Sequence, residues 1–154
     1  NIDKVLWWIN EDPDFVCGTF RKDFKRDKEF GSFINFTTQS GIDVSTMFQG
    51  DFNGQLFDYQ RDCAELICER GHIECQSYRQ VRICPVNGEW STILKLDFRK
   101  ERATIYRNMM QDFIDAINKK KNISITGEEG LKAIKLIDLT HQSYDTRGIM
   151  QWHQ

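Results

Sequence analysis

The stretch WSTILKLDFRKERATIYRNMMQDFIDAI (residues 90–117) contains a change of hydrophobic period that decides the fold class. From Trp90 to Phe98 apolar and polar residues alternate in most places, which is typical of a β-strand with one buried face. From about residue 101 the apolar residues instead recur every three or four positions, between Tyr106 and Ile117, as on one side of a helix. The chain therefore passes from strands to helices within this stretch.

The residues before this transition predict a series of β-strands. Short segments rich in β-branched and aromatic residues are separated by glycines, and the segment from Ile42 to Gln49 alternates throughout. Ser40-Gly41 and Asn87-Gly88 stand where hairpin turns are needed. The strands are predicted near residues 14–22, 32–39, 42–49, 62–69, 72–78, 79–85 and 90–98.

Two further helices are predicted near the ends of the chain. Apolar residues at helical spacing predict a helix over residues 2–9, and Pro13 prevents its continuation. Thr126 and Glu129 form a capping-box pattern that begins a helix ending at Gly148. The residues that this last helix is expected to bury are Leu131, Ala133, Ile134, Ile137 and Tyr144.

The segregation of strands and helices along the chain predicts the α+β class. We expect an open, mainly antiparallel β-sheet of about six strands, with helices packed on one face. The 154 residues fit a single domain with the end of a linking helix (1–12), the sheet (13–100) and two covering helices (101–148). The opposite sheet face, half apolar, is expected to serve as an interface.

Composition excludes several classes of partner. The formal net charge of -2 gives no indication of nucleic-acid binding. No apolar run approaches the roughly 18 residues that a membrane span needs, so no membrane association is expected. Five cysteines, an odd number without C-x-x-C spacing, argue against a disulfide framework and for a reducing compartment. We therefore expect a cytoplasmic protein.

The residues alone do not predict a self-contained active site. His72 and Cys75 are three positions apart, which places them on opposite faces of a strand and not in a metal site. Neither a nucleophile elbow nor a glycine-rich phosphate loop occurs, and His141 is expected to be a packed or surface histidine. Such a chain either binds a partner on its sheet or belongs to a larger catalytic unit; a thiol- or metal-dependent enzyme using Cys75 and His72 is a third hypothesis.

The segment YRNMMQDFIDAINKKKNISITGEEGLKAIKLIDLTHQSYDTRG (106–148) resembles the C-terminal signature of the Gfo/Idh/MocA oxidoreductases, the glucose–fructose oxidoreductase and inositol dehydrogenase family. The strands before it agree with that family's C-terminal domain, so the resemblance covers essentially the whole chain. It implies that NAD or NADP is bound by an N-terminal Rossmann domain, which this chain does not contain. The matches, in order, are Tyr106, Asp112-Phe113-Ile114, Thr126 to Gly130, and Ser143 to Gly148.

The resemblance also implies which residues approach the active site. Asn1-Ile2-Asp3 resembles the end of the family's D-x-x-x-H-x-x-D segment, with Asp3 as its final Asp and with its His and first Asp lying before Asn1. Asp3 would then orient the catalytic His or bind substrate hydroxyls, and Tyr106 would contact the substrate. On the residues alone, Asp3 is a first-turn acid whose charge interacts favourably with the helix dipole, and Tyr106 belongs to an apolar stripe.

The leading hypothesis is the C-terminal, substrate-binding and oligomerising domain of an NAD(P)-dependent oxidoreductase acting on a sugar, polyol or related secondary alcohol. Its expected partners are its own Rossmann domain, a second copy bound through the sheet face, and the small-molecule substrate. The 154-residue chain would be inactive alone and hold neither cofactor nor metal. The alternative is a non-enzymatic binding or scaffold domain of the same fold.

Overall fold

The computed structural model describes residues 2–23, 28–49, 63–76, 79–122 and 125–153. These residues form the helices α1 (Ile2–Ile9), α2 (Phe98–Ile117) and α3 (Gly127–Thr146). Their strands are β1 (Pro13–Asp23), β2 (Lys28–Thr38), β3 (Asp43–Gln49), β4 (Cys63–Cys68), β5 (Gly71–Gln76), β6 (Gln80–Pro85), β7 (Ser91–Lys95) and β8 (Met150–Gln151).

The chain divides into two compact units. Unit 1 comprises Asn1–Phe52 and Ser124–Gln154, and unit 2 comprises Asn53–Ile123. Sheet A, in unit 1, has the strand order β3-β2-β1-β8, and sheet B, in unit 2, has the order β4-β5-β6-β7. All their neighbouring strands are antiparallel. The α+β class with antiparallel strands is therefore confirmed, and the single-domain organisation stays a prediction.

The described strands number eight, in two sheets of four, where the sequence predicted about six in one sheet. The predicted segments near β1 to β7 each contain a strand, since alternation and turn residues are local signals. β8 was missed because two residues cannot show a period. Which strands pair is decided by turn geometry and by contacts distant in sequence, so the division into two sheets has no local signal.

The transition quoted above begins earlier than predicted. β7 ends at Lys95 and α2 begins at Phe98, a residue that the sequence assigned to the strand. The carbonyl of Asp97 accepts hydrogen bonds from the amides of Lys100 (3.0 Å) and Glu101 (2.9 Å), so the first helical turn already closes there.

The core of unit 1 lies between sheet A and α3. Val16 and Leu136 are both fully buried, and Ile34 faces the same core. β1 places Val16 opposite Phe36 of β2, which brings their apolar side chains to one face of the sheet. Burying such side chains contributes about 1.5–3 kcal/mol each. The buried core comprises Leu6, Val16, Ile34, Phe36, Leu136, Leu139 and Trp152.

A glycine in β1 allows α3 to approach the sheet closely. A Cβ at Gly18 would lie 2.4 Å from Cγ2 of Thr140 and 2.5 Å from the carbonyl oxygen of Phe33. The Gly18 amide donates to Oγ of Ser143 (3.3 Å), a buried hydroxyl that donates in turn to the carbonyl of Gly148. Small residues on both elements therefore set the distance between helix and sheet.

The buried face of α3 differs from the predicted one. Leu131 and Ile134 are 66% and 63% exposed, and Ile137 and Tyr144 are also exposed, so the prediction was wrong for these four residues. Ala133 is half-buried against the core, as expected. The buried side of α3 includes the polar residues Thr140 and Ser143. Both side chains are small and donate hydrogen bonds to backbone carbonyls, which suits the close approach of α3 to β1. The buried residues are Leu136, Leu139, Thr140 and Ser143.

The ends of α3 follow the sequence signals to within one residue. Thr126 accepts from the amide of Glu129 (3.3 Å), and the Glu129 carboxylate accepts from the amide of Thr126 (3.0 Å), which confirms the capping box. The left-handed cap is Arg147 (φ 54°), one position before the predicted Gly148. The Gly148 amide donates to the carbonyl of Ser143 (3.1 Å), so both residues take part in ending the helix.

Candidate functional site

Asp3 lies in the first turn of α1, and its side chain is exposed. The helix is anchored because Leu6 is buried in the core of unit 1, against which Ile2, Val5 and Ile9 also pack. This packing fixes the backbone that carries Asp3, while the carboxylate stays accessible. The structure therefore gives Asp3 the accessibility that a substrate-binding carboxylate needs; its predicted role stays a prediction.

The pKa of the Asp3 carboxyl is lowered from its ordinary value of 3.8. The amides of Lys4 and Asp3 contribute to this lowering of the pKa, and partial burial opposes it. At neutral pH Asp3 is an ionised hydrogen-bond acceptor.

Tyr106 lies in the first half of α2 and is 51% exposed. The guanidinium carbon of Arg102 lies 5.8 Å from the centre of its ring, a cation–π contact on the same helix. Asp3 belongs to unit 1 and Tyr106 to unit 2. The contact of Tyr106 with a substrate stays a prediction.

The face of sheet A that points away from α3 carries an apolar patch. Phe33 and Met47 lie directly opposite each other on β2 and β3, and they are 52% and 66% exposed. Beside them, Oγ of Ser45 donates to Oδ1 of Asn35 (2.7 Å), and Oγ1 of Thr37 donates to Asp43 (2.7 Å). These two pairs join β2 to β3, so covering Phe33 and Met47 need not break them. The half-apolar face expected from the alternation is present.

Sheet B carries a polar cluster that sequence reasoning missed. Arg82 of β6 donates from Nε (2.9 Å) and Nη2 (2.7 Å) to the Glu74 carboxylate of β5, a bidentate pair, and Gln76 Nε2 donates to the same carboxylate (2.8 Å). The guanidinium carbon lies 4.8 Å from the ring centre of Trp90. Arg82 thereby lowers the pKa of Glu74, although burial opposes the shift. The only local signal is alternation, and it does not reveal that β5 and β6 place Glu74 opposite Arg82.

His72 lies beside this cluster, and Cys75 does not accompany it. Nδ1 of His72 is 3.6 Å from the Glu65 carboxylate, and its ring meets Trp90 edge-on at 6.4 Å. Cys84 is its partner on β6, whereas Cys75 is three positions away on β5 and lies on the opposite face. The geometry therefore disfavours an enzyme that uses Cys75 and His72 together. Within the described ranges no group of three metal-ligating side chains converges.

His141 packs against sheet A, as the sequence led us to expect. Its ring stacks on Phe20 of β1 with centroids 4.0 Å apart and planes 9° apart, and Tyr144 meets Phe20 edge-on at 5.9 Å. This arrangement is a packing contact between helix and strand. None of the helices described here is both long and apolar enough to span a membrane.

Comparisons of sequence find no match, whereas comparison of structure finds a shared fold. No family model matches the sequence, and no curated protein matches it. The fold, in contrast, matches that of sugar and polyol oxidoreductases over nearly the whole chain. The Gfo/Idh/MocA resemblance proposed from the motifs is thereby confirmed at the level of the fold.

Three similar structures illustrate the match. An oxidoreductase from Agrobacterium radiobacter in complex with NAD+, L-tartaric acid and magnesium has a TM-score of 0.73, with 14% identity, and the match covers 98% of this chain and 46% of that one. The aldose–aldose oxidoreductase from Caulobacter crescentus complexed with glycerol has a TM-score of 0.72 and 13% identity, and the match covers 97% of this chain and 44% of that one. Scyllo-inositol dehydrogenase from Lactobacillus casei with bound NAD(H) and scyllo-inositol has a TM-score of 0.67 and 15% identity, and the match covers 99% of this chain and 46% of that one. The chain therefore spans a little under half the length of each of these three structures.

Proposed function

We propose that this chain is the C-terminal domain of an NAD(P)-dependent oxidoreductase that acts on a sugar, polyol or related secondary alcohol. The observation that carries the proposal is the pair of coverages: the fold matches 97–99% of this chain but only 44–46% of the oxidoreductases. Two of these structures hold NAD and two hold a polyol, as their descriptions state. A cytoplasmic location, predicted from the cysteine content, agrees with this proposal.

The division of labour follows from the chemistry of alcohol oxidation. The reaction needs a base within hydrogen-bond reach of the hydroxyl and an acceptor placed for the hydride. No glycine-rich dinucleotide loop occurs in this sequence, so no residue of the chain is assigned to the cofactor. NAD or NADP, bound by the N-terminal domain, would supply the hydride acceptor. This chain would form the cleft wall that orients the alcohol.

Asp3 is the proposed polar contact of that wall. An ionised carboxylate accepts hydrogen bonds from hydroxyl groups, and its two oxygens suit adjacent hydroxyls of a polyol. Alternatively, it would orient the catalytic His whose position the resemblance puts just before Asn1. In both arrangements the anchoring of α1 through Leu6 keeps the carboxylate in place. Tyr106, half exposed, would pack its ring against the C–H groups of the substrate.

The apolar patch on sheet A is the proposed surface for self-association. Phe33 and Met47 are exposed side by side, with Phe15 44% exposed on the same face. A second copy placing the same patch against this one would cover these side chains without breaking the Asn35–Ser45 pair. Sedimentation of the 154-residue protein should show a dimer that Phe33→Ser weakens. A monomer at all concentrations would refute this part of the proposal.

The proposal is tested first by the coding sequence upstream of Asn1. We expect about 200 codons that encode a strand–G-x-G-x-x-G–helix unit and end in a His codon. The longer protein should then reduce NAD or NADP in the presence of a polyol or sugar, followed by the absorbance of the reduced cofactor. An in-frame stop or an unrelated upstream sequence would favour the alternative, a non-enzymatic binding domain of the same fold.

A further inference from the structure

We infer that Glu11, Asp12 and Lys132 are positioning residues that fix the direction of α1 and, through it, the location of the Asp3 carboxylate. The inference rests on the proposed function, in which Asp3 contacts the substrate or orients the catalytic His. All of these residues belong to unit 1. We call Glu11, Asp12 and Lys132 the α1 clamp.

The core contacts of α1 leave its direction incompletely fixed. Within α1, whose residues 2–9 are all described, only Leu6 is buried, and Ile2, Val5 and Ile9 are partly buried. Apolar contact has no preferred direction, so it permits small tilts of the helix. A tilt of about 6° about Ile9 would move the backbone of Asp3, about 9 Å away along the helix axis, by about 1 Å. A misplacement of that size can lower a reaction rate on the order of 100-fold.

A short connection brings the two clamp carboxylates to the end of α1. Asn10 has a left-handed backbone (φ 53°), and its amide donates to the carbonyl of Leu6 (2.9 Å), which closes the helix. Pro13, the first residue of β1, is fully buried. Because only Glu11 and Asp12 separate Asn10 from this buried proline, contacts of their side chains act directly on the last turn of α1.

Asp12 ties this end of α1 to α3. Nζ of Lys132 donates to Oδ1 of Asp12 (2.5 Å), and the two side chains are 48% and 38% exposed, respectively. Lys132 stands one turn before the fully buried Leu136, so a firmly anchored part of α3 carries the cation. An ion pair this exposed contributes little to the free energy of unfolding. It can still restrain small tilts of α1, because such tilts break few other contacts.

Glu11 ties the same end of α1 to the turn after β2. Its carboxylate accepts hydrogen bonds from the hydroxyls of Ser40 and Thr38, which hold the pKa of Glu11 below its ordinary value of 4.5, although burial opposes the shift. Thr38 is buried, and its Oγ1 accepts from the amide of Ile42 (3.1 Å). The two clamp carboxylates thus reach two different elements, α3 and sheet A, and restrain the end of α1 against both.

The variant Lys132→Met tests the clamp in the longer, NAD-reducing protein. We expect kcat/KM to fall about fivefold with little change in thermal stability, because an exposed ion pair shifts the population of the productive orientation only modestly. Glu11→Ala, which removes the other attachment, should cause a similar loss. Lys132→Arg keeps the cation and should retain kcat/KM. Lys135→Met is the matched control: it removes the same charge one turn later in α3, where Nζ lies 4.7 Å from the ring centre of Trp152, and should leave kcat/KM unchanged.

Two combinations separate positioning from a general loss of structure. Asp12→Lys alone should lower kcat/KM, and Asp12→Lys together with Lys132→Asp should restore most of it, because the pair forms again with its charges exchanged. In an Asp3→Asn background, Lys132→Met should cause no further loss, since the clamp acts through the Asp3 carboxylate. Circular dichroism verifies that each variant folds.

Three kinds of result would overturn the inference and leave the proposed function standing. The first is an unchanged kcat/KM in Lys132→Met, Glu11→Ala or Asp3→Asn. The second is an equal loss in Lys135→Met, or a charge exchange that restores nothing. The third is the same loss from Lys132→Met in the Asp3→Asn background, which would show that the clamp does not act through Asp3. A longer protein that reduces neither NAD nor NADP would instead refute the proposed function before any variant is made.

Discussion

The close approach of α3 to β1 makes Gly18→Ala a demanding test of the fold of unit 1. The new Cβ would lie 2.4 Å from Cγ2 of Thr140 and 2.5 Å from the carbonyl oxygen of Phe33. Both distances are far below van der Waals contact, so α3 must move away from the sheet to relieve the first, and β1 must shift against β2 to relieve the second. The hydrogen bond from the Gly18 amide to Ser143 would lengthen as α3 moves.

The expected loss of stability is the sum of two costs, reduced by one gain. Overpacking of a well-packed contact costs about 1–3 kcal/mol, and weakening the hydrogen bond to Ser143 costs about 1 kcal/mol more. The lower conformational entropy of alanine in the unfolded chain returns about 0.4–1 kcal/mol. We therefore expect Gly18→Ala to destabilise the protein by about 2 kcal/mol.

Urea unfolding followed by tryptophan fluorescence measures this loss, because Trp7, Trp8 and Trp152 all belong to unit 1. Gly130→Ala is the matched control: a Cβ at Gly130 meets nothing within 4 Å, and replacing a glycine within α3 should stabilise by about 1 kcal/mol. Adding Thr140→Ala to Gly18→Ala should recover part of the loss, since it removes Cγ2. A Gly18→Ala protein as stable as the unsubstituted one would refute the packing described here.

Three further predictions address the core, a carboxylate pair and the site. Leu136→Ala should destabilise unit 1 by about 3 kcal/mol in urea unfolding, because Leu136 is fully buried, whereas Leu131→Ala, on the exposed side of the same helix, should change stability by less than about 0.5 kcal/mol. Arg82 lowers the pKa of Glu74 in the folded state, so Glu74 contributes stability above its unfolded pKa, near 4.5, and this contribution is lost as pH falls through the lower folded pKa. The urea midpoint of Glu74→Gln should therefore fall less between neutral and acidic pH than that of the unsubstituted protein, and equal falls would contradict the pairing. In the longer, NAD-reducing protein, Asp3→Asn should lower kcat/KM about 100-fold with only a small loss of thermal stability, since it also removes a first-turn charge, while Asp145→Asn, on the exposed side of α3, should leave kcat/KM unchanged; equal kinetics for Asp3→Asn would remove Asp3 from the site.

The elements that the sequence predicted are those with a local signal. Alternation in Ile42 to Gln49 and the capping box at Thr126 each lie within a few residues, and both are confirmed. The buried side of α3 had no such signal. Thr140 and Ser143 face the core because Gly18, more than 120 positions away, leaves room for them. A hydrophobic pattern favours Leu131 and Ile134 instead, since it cannot represent a polar contact distant in sequence.

The candidate functional residues likewise divide into those that a sequence motif indicates and those that come together only in the folded protein. Asp3 and Tyr106 were identified through a resemblance of motifs, because a first-turn acid and an apolar stripe have structural explanations of their own. The Glu74–Arg82–Trp90 cluster had no motif, since its members come from β5, β6 and the turn before β7 and meet only when those strands pair. Residue types alone thus indicate a function only where a family has kept them in a recognisable order.

Asp3 and Tyr106 differ in what holds them in position. Asp3 is carried by a helix whose neighbouring Leu6 is buried in a core that unit 1 completes by itself. Tyr106, in contrast, is half exposed and its ring contacts Arg102 of the same helix, so a local contact, and not a buried core, orients it.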